Sequence, residues 1–242
     1  MKKEISIRNR PVGSGPYGGG VYMTAVSITE VLMRIQIFLG LRGDIAEIGV
    51  LEGIYLRQLY PYLEKTEICF AVDPYIDLPH LKEKVRNDFE MSYGLKNQLH
   101  FLYKSSLDLT PEMLNREGSP GIRFFSIDGN HTREYVHNDL MIAERVLVNA
   151  GIIAIDDYFD QGSPGVSEGL SQFFTESNND RLAILISGGN KVFITTKDYY
   201  LNYRFLIKKF TNIETIKSYH DREWFGSSVL FIDNVLRDNL PL

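Results

Sequence analysis

The chain of 242 residues contains one cysteine, one tryptophan and no long hydrophobic run. A single thiol, Cys69, can close no internal disulfide and build no cysteine metal cluster. The longest apolar stretches, 31–41 and 146–155, are broken by Arg34, Gln36 and Asn149, well short of the roughly 18 to 20 residues that cross a bilayer. No membrane span is therefore expected. A basic excess is lacking too: 26 Lys and Arg stand against 31 Asp and Glu, a formal charge of −5. Phosphate neutralisation needs clustered positive charge, so neither nucleic acid nor an anionic membrane is an expected partner. The opening residues hold no apolar core of the length a secretory leader needs, which makes the cytoplasm the expected compartment. What is present, 44% hydrophobic and 24% charged residues, is the composition of a folded domain.

The stretch NRPVGSGPYGGG at 9–20 is rich in glycine and carries two prolines, the mark of a linker or of a lid that orders over a ligand. Residues 1–23 are expected to be a flexible arm and 24–242 a single domain. A helix is predicted over 24–39, from apolar residues at Val31, Ile35, Phe38 and Leu39 and a stop at Gly40 and Gly43. Seven β-rich runs follow: 44–50, 67–73, 98–104, 121–128, 151–157, 191–197 and 227–233, mostly with room for a helix between them. Nearly unbroken apolar strands joined by helices imply a mostly parallel sheet covered on both faces, a doubly wound α/β fold.

Ligands of such folds sit beyond the carboxyl ends of the strands. Here those ends carry Glu47 with Gly49, then Asp73, Ser105 with Ser106, Asp128, and Asp156 with Asp157. Any one of them can be a helix cap, but the run of them points to a site along one sheet edge. The segment EIGVLEG, 47–53, places Gly49 where backbone can approach a ligand and Gly53 where a strand passes into a helix. It lacks the third glycine of a dinucleotide fingerprint. Asp73 ends the second strand, where a carboxylate can accept both hydroxyls of a ribose. Glu47 and Glu52 beside the turn suit a ligand without phosphates, and S-adenosylmethionine meets both requirements.

In order and spacing, EIGVLEG, AVDPY, IDGNH and IDDY resemble the class I S-adenosylmethionine-dependent methyltransferases. Within them the likeness is to the metal-dependent O-methyltransferase branch that includes the macrocin and aminocoumarin-sugar enzymes and, more distantly, catechol O-methyltransferase. It runs from about Asp44 to Phe174 and more loosely onward. The resemblance implies a Rossmann-like seven-stranded sheet whose reversed last strand is FGSSVLFID, and Ser105 or Ser106 beside the adenine. It also implies a divalent-metal site at Asp128, Asp156 and Asp157. Three crowded carboxylates repel unless a cation neutralises them, and oxygen ligands without cysteine favour Mg²⁺, with Mn²⁺ or Ca²⁺ as alternatives.

The activity so implied is methyl transfer to a hydroxyl of a small molecule, a sugar or polyketide-type natural product. The acceptor's proton needs a destination, and His131, three residues after Asp128, can take it. A hydrogen bond to substrate or metal ligand, or a role at a helix start, are the other readings of His131. Some sugar-modifying relatives place an aspartate where this chain has Asn130, which cannot take a proton. Metal-independent transfer to nitrogen or oxygen is the second reading of the chain. A nucleotide-binding oxidoreductase or a non-catalytic binding module is the third. The arm and first helix offer a surface for a homo-oligomer.

Overall fold

The computed structural model describes residues 11–94, 98–176, 180–210 and 216–235. Residues 1–10 of the expected arm lie outside them. The rest of the arm is a small antiparallel hairpin, β1 (Pro11–Ser14) and β2 (Gly20–Tyr22), leading directly into α1 (Met23–Phe38). The core then alternates β3 (Asp44–Ile48), α2 (Leu56–Leu59), β4 (Cys69–Val72), α3 (Pro79–Tyr93), β5 (Leu99–Leu102), β6 (Ile122–Ile127), α4 (Arg133–Val146), β7 (Leu147–Ile155) and α5 (Pro164–Glu176). It closes with β8 (Leu182–Gly188), β9 (Lys191–Thr196), α6 (Lys197–Phe210), β10 (Ile216–Trp224) and β11 (Ser227–Val235).

The main sheet is ordered β10-β11-β8-β9-β7-β6-β3-β4-β5. Strands β3 to β7 are mutually parallel. Alternate strand residues face opposite layers. Phe124, Ile152 and Ala154 pack with α1, α2, α3 and α6, while Phe125, Ile153 and Ile155 pack with α4 and α5. The doubly wound α/β expectation holds.

Two details differ from the sequence reading. The sheet has nine strands, not seven, and the reversed strand inside it is β9, which pairs antiparallel with both β7 and β8. The run expected to reverse, 227–233, lies in β11, which is parallel to β8, and the added reversed edge strand is β10. The reason lies in two short turns. Gly189 and Asn190 both have positive φ, as do Phe225 and Gly226, so each pair folds the chain back in a two-residue hairpin loop. LAILISGGNKVFITT is therefore two strands, although hydropathy alone shows little break.

The sheet's two ends differ electrically. At the amino ends of the strands each buried acid has its own arginine: Glu67 with Arg123 at 2.9 Å, and Asp44 with Arg116 at 2.8 Å. At the carboxyl ends the acids outnumber the cations, and there the site forms.

Candidate functional site

Five strands deliver functional groups to that edge. Asp73 follows β4, Ser105 and Ser106 follow β5, Asp128 follows β6, Asp156 and Asp157 follow β7, and Glu47 is the penultimate residue of β3. A cavity of about 810 Å³ runs along it, lined at one end by Asp73, Ser105 and Ser106 and at the other by Asp128, His131, Asp156 and Asp157. Gly18 to Tyr22 of the amino-terminal hairpin also line it. The hairpin is tied across the cleft by Tyr17 Oη, 2.7 Å from His80 Nε2.

Gly49 holds the floor together. A Cβ on it would lie 1.8 Å from the carbonyl oxygen of Asp128, and its φ is +82°, so only glycine lets the β3 and β6 ends meet here. Gly53 does not line the cavity. It packs on Phe89 and Val85 of α3, which is the strand-to-helix role the sequence suggested. Glu47 is likewise beneath the floor: it is buried, and its Oε2 has no hydrogen-bond partner. Burial, then the nearby Asp128, pushes its carboxyl well above the usual range.

At one end of the cavity Asp73 accepts the N–H of Leu51 at 2.8 Å and of Tyr75 at 2.8 Å. Each oxygen keeps a lone pair free for a hydroxyl. Ser105 accepts the N–H of Leu107 and starts a turn of 3₁₀ helix, while Ser106 is buried. Behind Ser106 lies Asp139 of α4, fully buried and pushed up to about 7 by that burial, against a lowering hydrogen bond with the serine side chain. An unfolded aspartate titrates near 3.9, so the native state binds the extra proton between those values. Stability therefore falls as pH rises from about 4 to about 7 and is flat above. Asp139→Asn is expected to leave stability unchanged near pH 4 and raise it at pH 8 by as much as about 4 kcal/mol. Thermal melts of both proteins at the two pH values check this.

At the other end the acids sort into two sets. Asp156 is taken by Lys191, fully buried at the start of β9, with Nζ 2.7 Å from Asp156 Oδ2, 3.9 Å from Asp128 Oδ2 and 4.1 Å from the centre of the Tyr55 ring. Burial alone would lower the pKa of Lys191, but Asp156 and Asp128 more than offset it and hold the ammonium charged. Asp128 and Asp157 face His131 instead, at 3.6 and 3.5 Å from its Nε2. Atoms of these three residues all lie within 4.8 Å of one another. Thus of the expected trio Asp128, Asp156 and Asp157, the structure turns the first and last toward His131 and ties Asp156 to a lysine. Burial, then Asp156, raises the carboxyls of Asp128 and Asp157. The carboxylate of Asp128 is the main reason His131 is raised above the ordinary imidazole range, against burial.

His131 is fixed from behind. Its Nδ1 lies 3.1 Å from Ser163 Oγ, and its Nε2 is buried without a hydrogen-bond partner. Gly165 in the first turn of α5 sits so close that a Cβ would lie 2.4 Å from the His131 carbonyl. The residue lies two positions before the start of α4 at Arg133. Asn190, at the β8–β9 turn, donates Nδ2–H to Asp157 Oδ1 at 2.5 Å. Neither Lys191 nor Asn190 was expected from sequence, although the Gly-Asn turn signal was there to be read.

Of the other histidines, His80 and His137 lie on α3 and α4, His100 on β5 and His220 on β10. No helix among the described residues is long and apolar enough to cross a membrane.

Residues 46–158 match a family described as "Methyltransferase domain". No curated protein matches the chain. Among solved structures, the O-methyltransferase NovP is similar with a TM-score of 0.56 at 15% identity, over 71% of this chain and 79% of that one. An O-methyltransferase from Bacillus cereus in complex with S-adenosylhomocysteine follows at 0.55 and 16%, over 71% and 81%. CalS11, a TDP-rhamnose 3'-O-methyltransferase of calicheamicin biosynthesis, gives 0.53 at 16%, over 69% and 79%. At such identities the likeness is one of fold.

Proposed function

We propose that the chain is an S-adenosylmethionine-dependent, divalent-cation-dependent O-methyltransferase acting on a small-molecule hydroxyl, a reading supported by the match of residues 46–158 to a methyltransferase-domain family. The observation that carries this reading is the single cavity with Asp73 and Ser106 at one end and Asp128, His131 and Asp157 at the other. The ribose hydroxyls donate to Asp73, and the adenine lies toward Ser105 and Ser106. Glu47 beneath the floor favours a cationic donor, and a positive charge above it favours its own ionised form.

The acceptor end has the donor set for a hard cation. Four carboxylates, Glu47, Asp128, Asp156 and Asp157, share one buried lysine there; Lys191 lies closest to Asp156, and Asp128 and Asp157 converge with an imidazole nitrogen that has no hydrogen-bond partner. Asp128 and Asp157 would hold the ion. When bound, it supplies Lewis acidity that makes the acceptor hydroxyl easier to ionise. The chain's residues align the rest. A lone pair of the acceptor oxygen forms the new C–O bond, the C–S bonding pair stays on sulfur, and the acceptor proton passes to His131 Nε2. The description of CalS11, an enzyme of calicheamicin biosynthesis, favours a natural-product acceptor.

The same Nε2 is close enough to both carboxylates to be a third cation ligand, which is the second reading of His131. One experiment separates them. EDTA is expected to abolish transfer and Mg²⁺ to restore it. If His131 is the base, the rate climbs with pH as the imidazole loses its proton, and His131→Ala loses that limb without weakening Mg²⁺ binding. If it is a ligand, Mg²⁺ affinity falls in the variant. Activity that survives both EDTA and replacement of Asp157 overturns the cation-dependent reading.

A further inference from the structure

Beside the donor cavity lies a second, of about 570 Å³, which shares Tyr22, Asp160 and Asn190 with it. Its floor is the β8–β9 turn, Gly188 and Gly189, and Phe159 and Phe231 form its aromatic walls. Phe159 is 57% exposed and faces solvent. It is nonetheless held in place: its ring lies 4.7 Å from Tyr158, 5.9 Å from Trp224 and 6.3 Å from Phe231, centre to centre. A fixed, solvent-facing aromatic in a cavity wall offers a flat apolar surface at little entropic cost.

The charge pattern is as informative. No lysine, arginine or histidine lines this second cavity among the described residues, and its one carboxylate is Asp160. A diphosphate placed here would meet a carboxylate and no counter-ion, which is unfavourable for any desolvated anion. Asn190 joins the two cavities and donates to Asp157, so a molecule seated against Phe159 and Phe231 can present a hydroxyl to Asp157 across the shared wall.

We propose that this second cavity, walled by Phe159 and Phe231 and bridged by Asn190 to Asp157, is the acceptor subsite, and that it takes an uncharged, planar, hydroxylated ring compound rather than a nucleoside diphosphate-linked sugar. It rests on the methyltransferase reading and narrows its substrate class.

The test uses calorimetry on the full chain with S-adenosylhomocysteine and Mg²⁺, with 2,3-dihydroxynaphthalene and uridine diphosphate glucose as probes. The diol is expected to bind and the nucleotide sugar to show no heat of binding. Phe159→Ala, a surface change that spares the core, should weaken the diol at least tenfold while the affinity for S-adenosylhomocysteine stays within twofold. Phe231→Ala should weaken it likewise. Tighter binding of the nucleotide sugar, or diol affinity unchanged in both variants, overturns the assignment of the subsite while leaving the donor reading intact. Failure of the unaltered protein to bind S-adenosylhomocysteine overturns the donor reading and the subsite with it.

Discussion

Asp157→Asn is expected to lower kcat by about 10²- to 10³-fold while affinity for S-adenosylhomocysteine stays within about threefold. Removing one preorganised group that acts on developing charge typically costs roughly 3 to 4 kcal/mol of transition-state stabilisation. In the proposed mechanism Asp157 is such a group: its two oxygens face Asn190 and His131. The substitution is also structurally clean. Asp157 has φ +57°, a conformation that asparagine tolerates and alanine does not. Alanine would mix backbone strain with the loss of charge. Steady-state kinetics together with calorimetry of the same variant check the prediction, and a loss confined to KM would show that Asp157 contributes only to binding.

The second large effect concerns the fold beneath the site. Lys191→Met leaves Asp156 buried without its partner, next to Asp128 and Glu47. Breaking a buried ion pair from one side costs about 3 to 5 kcal/mol, which for a chain of this size is a fall in Tm of roughly 6 to 20 °C. The variant keeps the stem that packs near Tyr55, so the loss is electrostatic rather than a cavity. Adding Asp156→Asn removes the uncompensated charge and is expected to recover at least half of the fall. Differential scanning calorimetry of the two single variants and the double variant measures this. Equal melting temperatures for Lys191→Met and the unaltered chain would mean that the site's negative charge is balanced elsewhere.

These two residues also show how far the sequence could be read. Asp157 was legible because it ends an oily strand, and a parallel sheet collects such ends along one edge. Asp128 and Asp73 were legible for the same reason, and Gly49 because its strand stops at it. Lys191 was not. In KVFITTK it looks like a polar residue opening a strand, and nothing local says that the strand runs backwards and carries the ammonium under Asp156. Its direction depends on the Gly189-Asn190 turn, where both residues need positive φ. Once that turn is recognised, β8 and β9 separate, β9 reverses, and Lys191 and Asn190 both arrive at the acidic end. Asp156 was expected beside Asp128 and Asp157 at a cation site from the family resemblance, and the lysine next to it was not. Consecutive residues leaving a strand point to opposite sides, and here one turns inward to the lysine while the other turns to His131.

Ser106 and Asp139 illustrate a related limit. The serine was placed by its strand end, but the carboxyl behind it comes from α4, 33 positions further along the chain, and only packing brings the two together. The acceptor subsite is built the same way, from the β2 end, the loop after β7, the β8–β9 turn and β11. No short motif spans four such segments.

The cavity along the carboxyl ends of β3 to β7 is proposed to hold S-adenosylmethionine. Isothermal titration calorimetry with S-adenosylhomocysteine and, separately, NAD tests it most directly. The expected result is one-to-one binding of S-adenosylhomocysteine, weakened at least tenfold by Asp73→Ala, and no binding of NAD. Binding of NAD without binding of S-adenosylhomocysteine would contradict it.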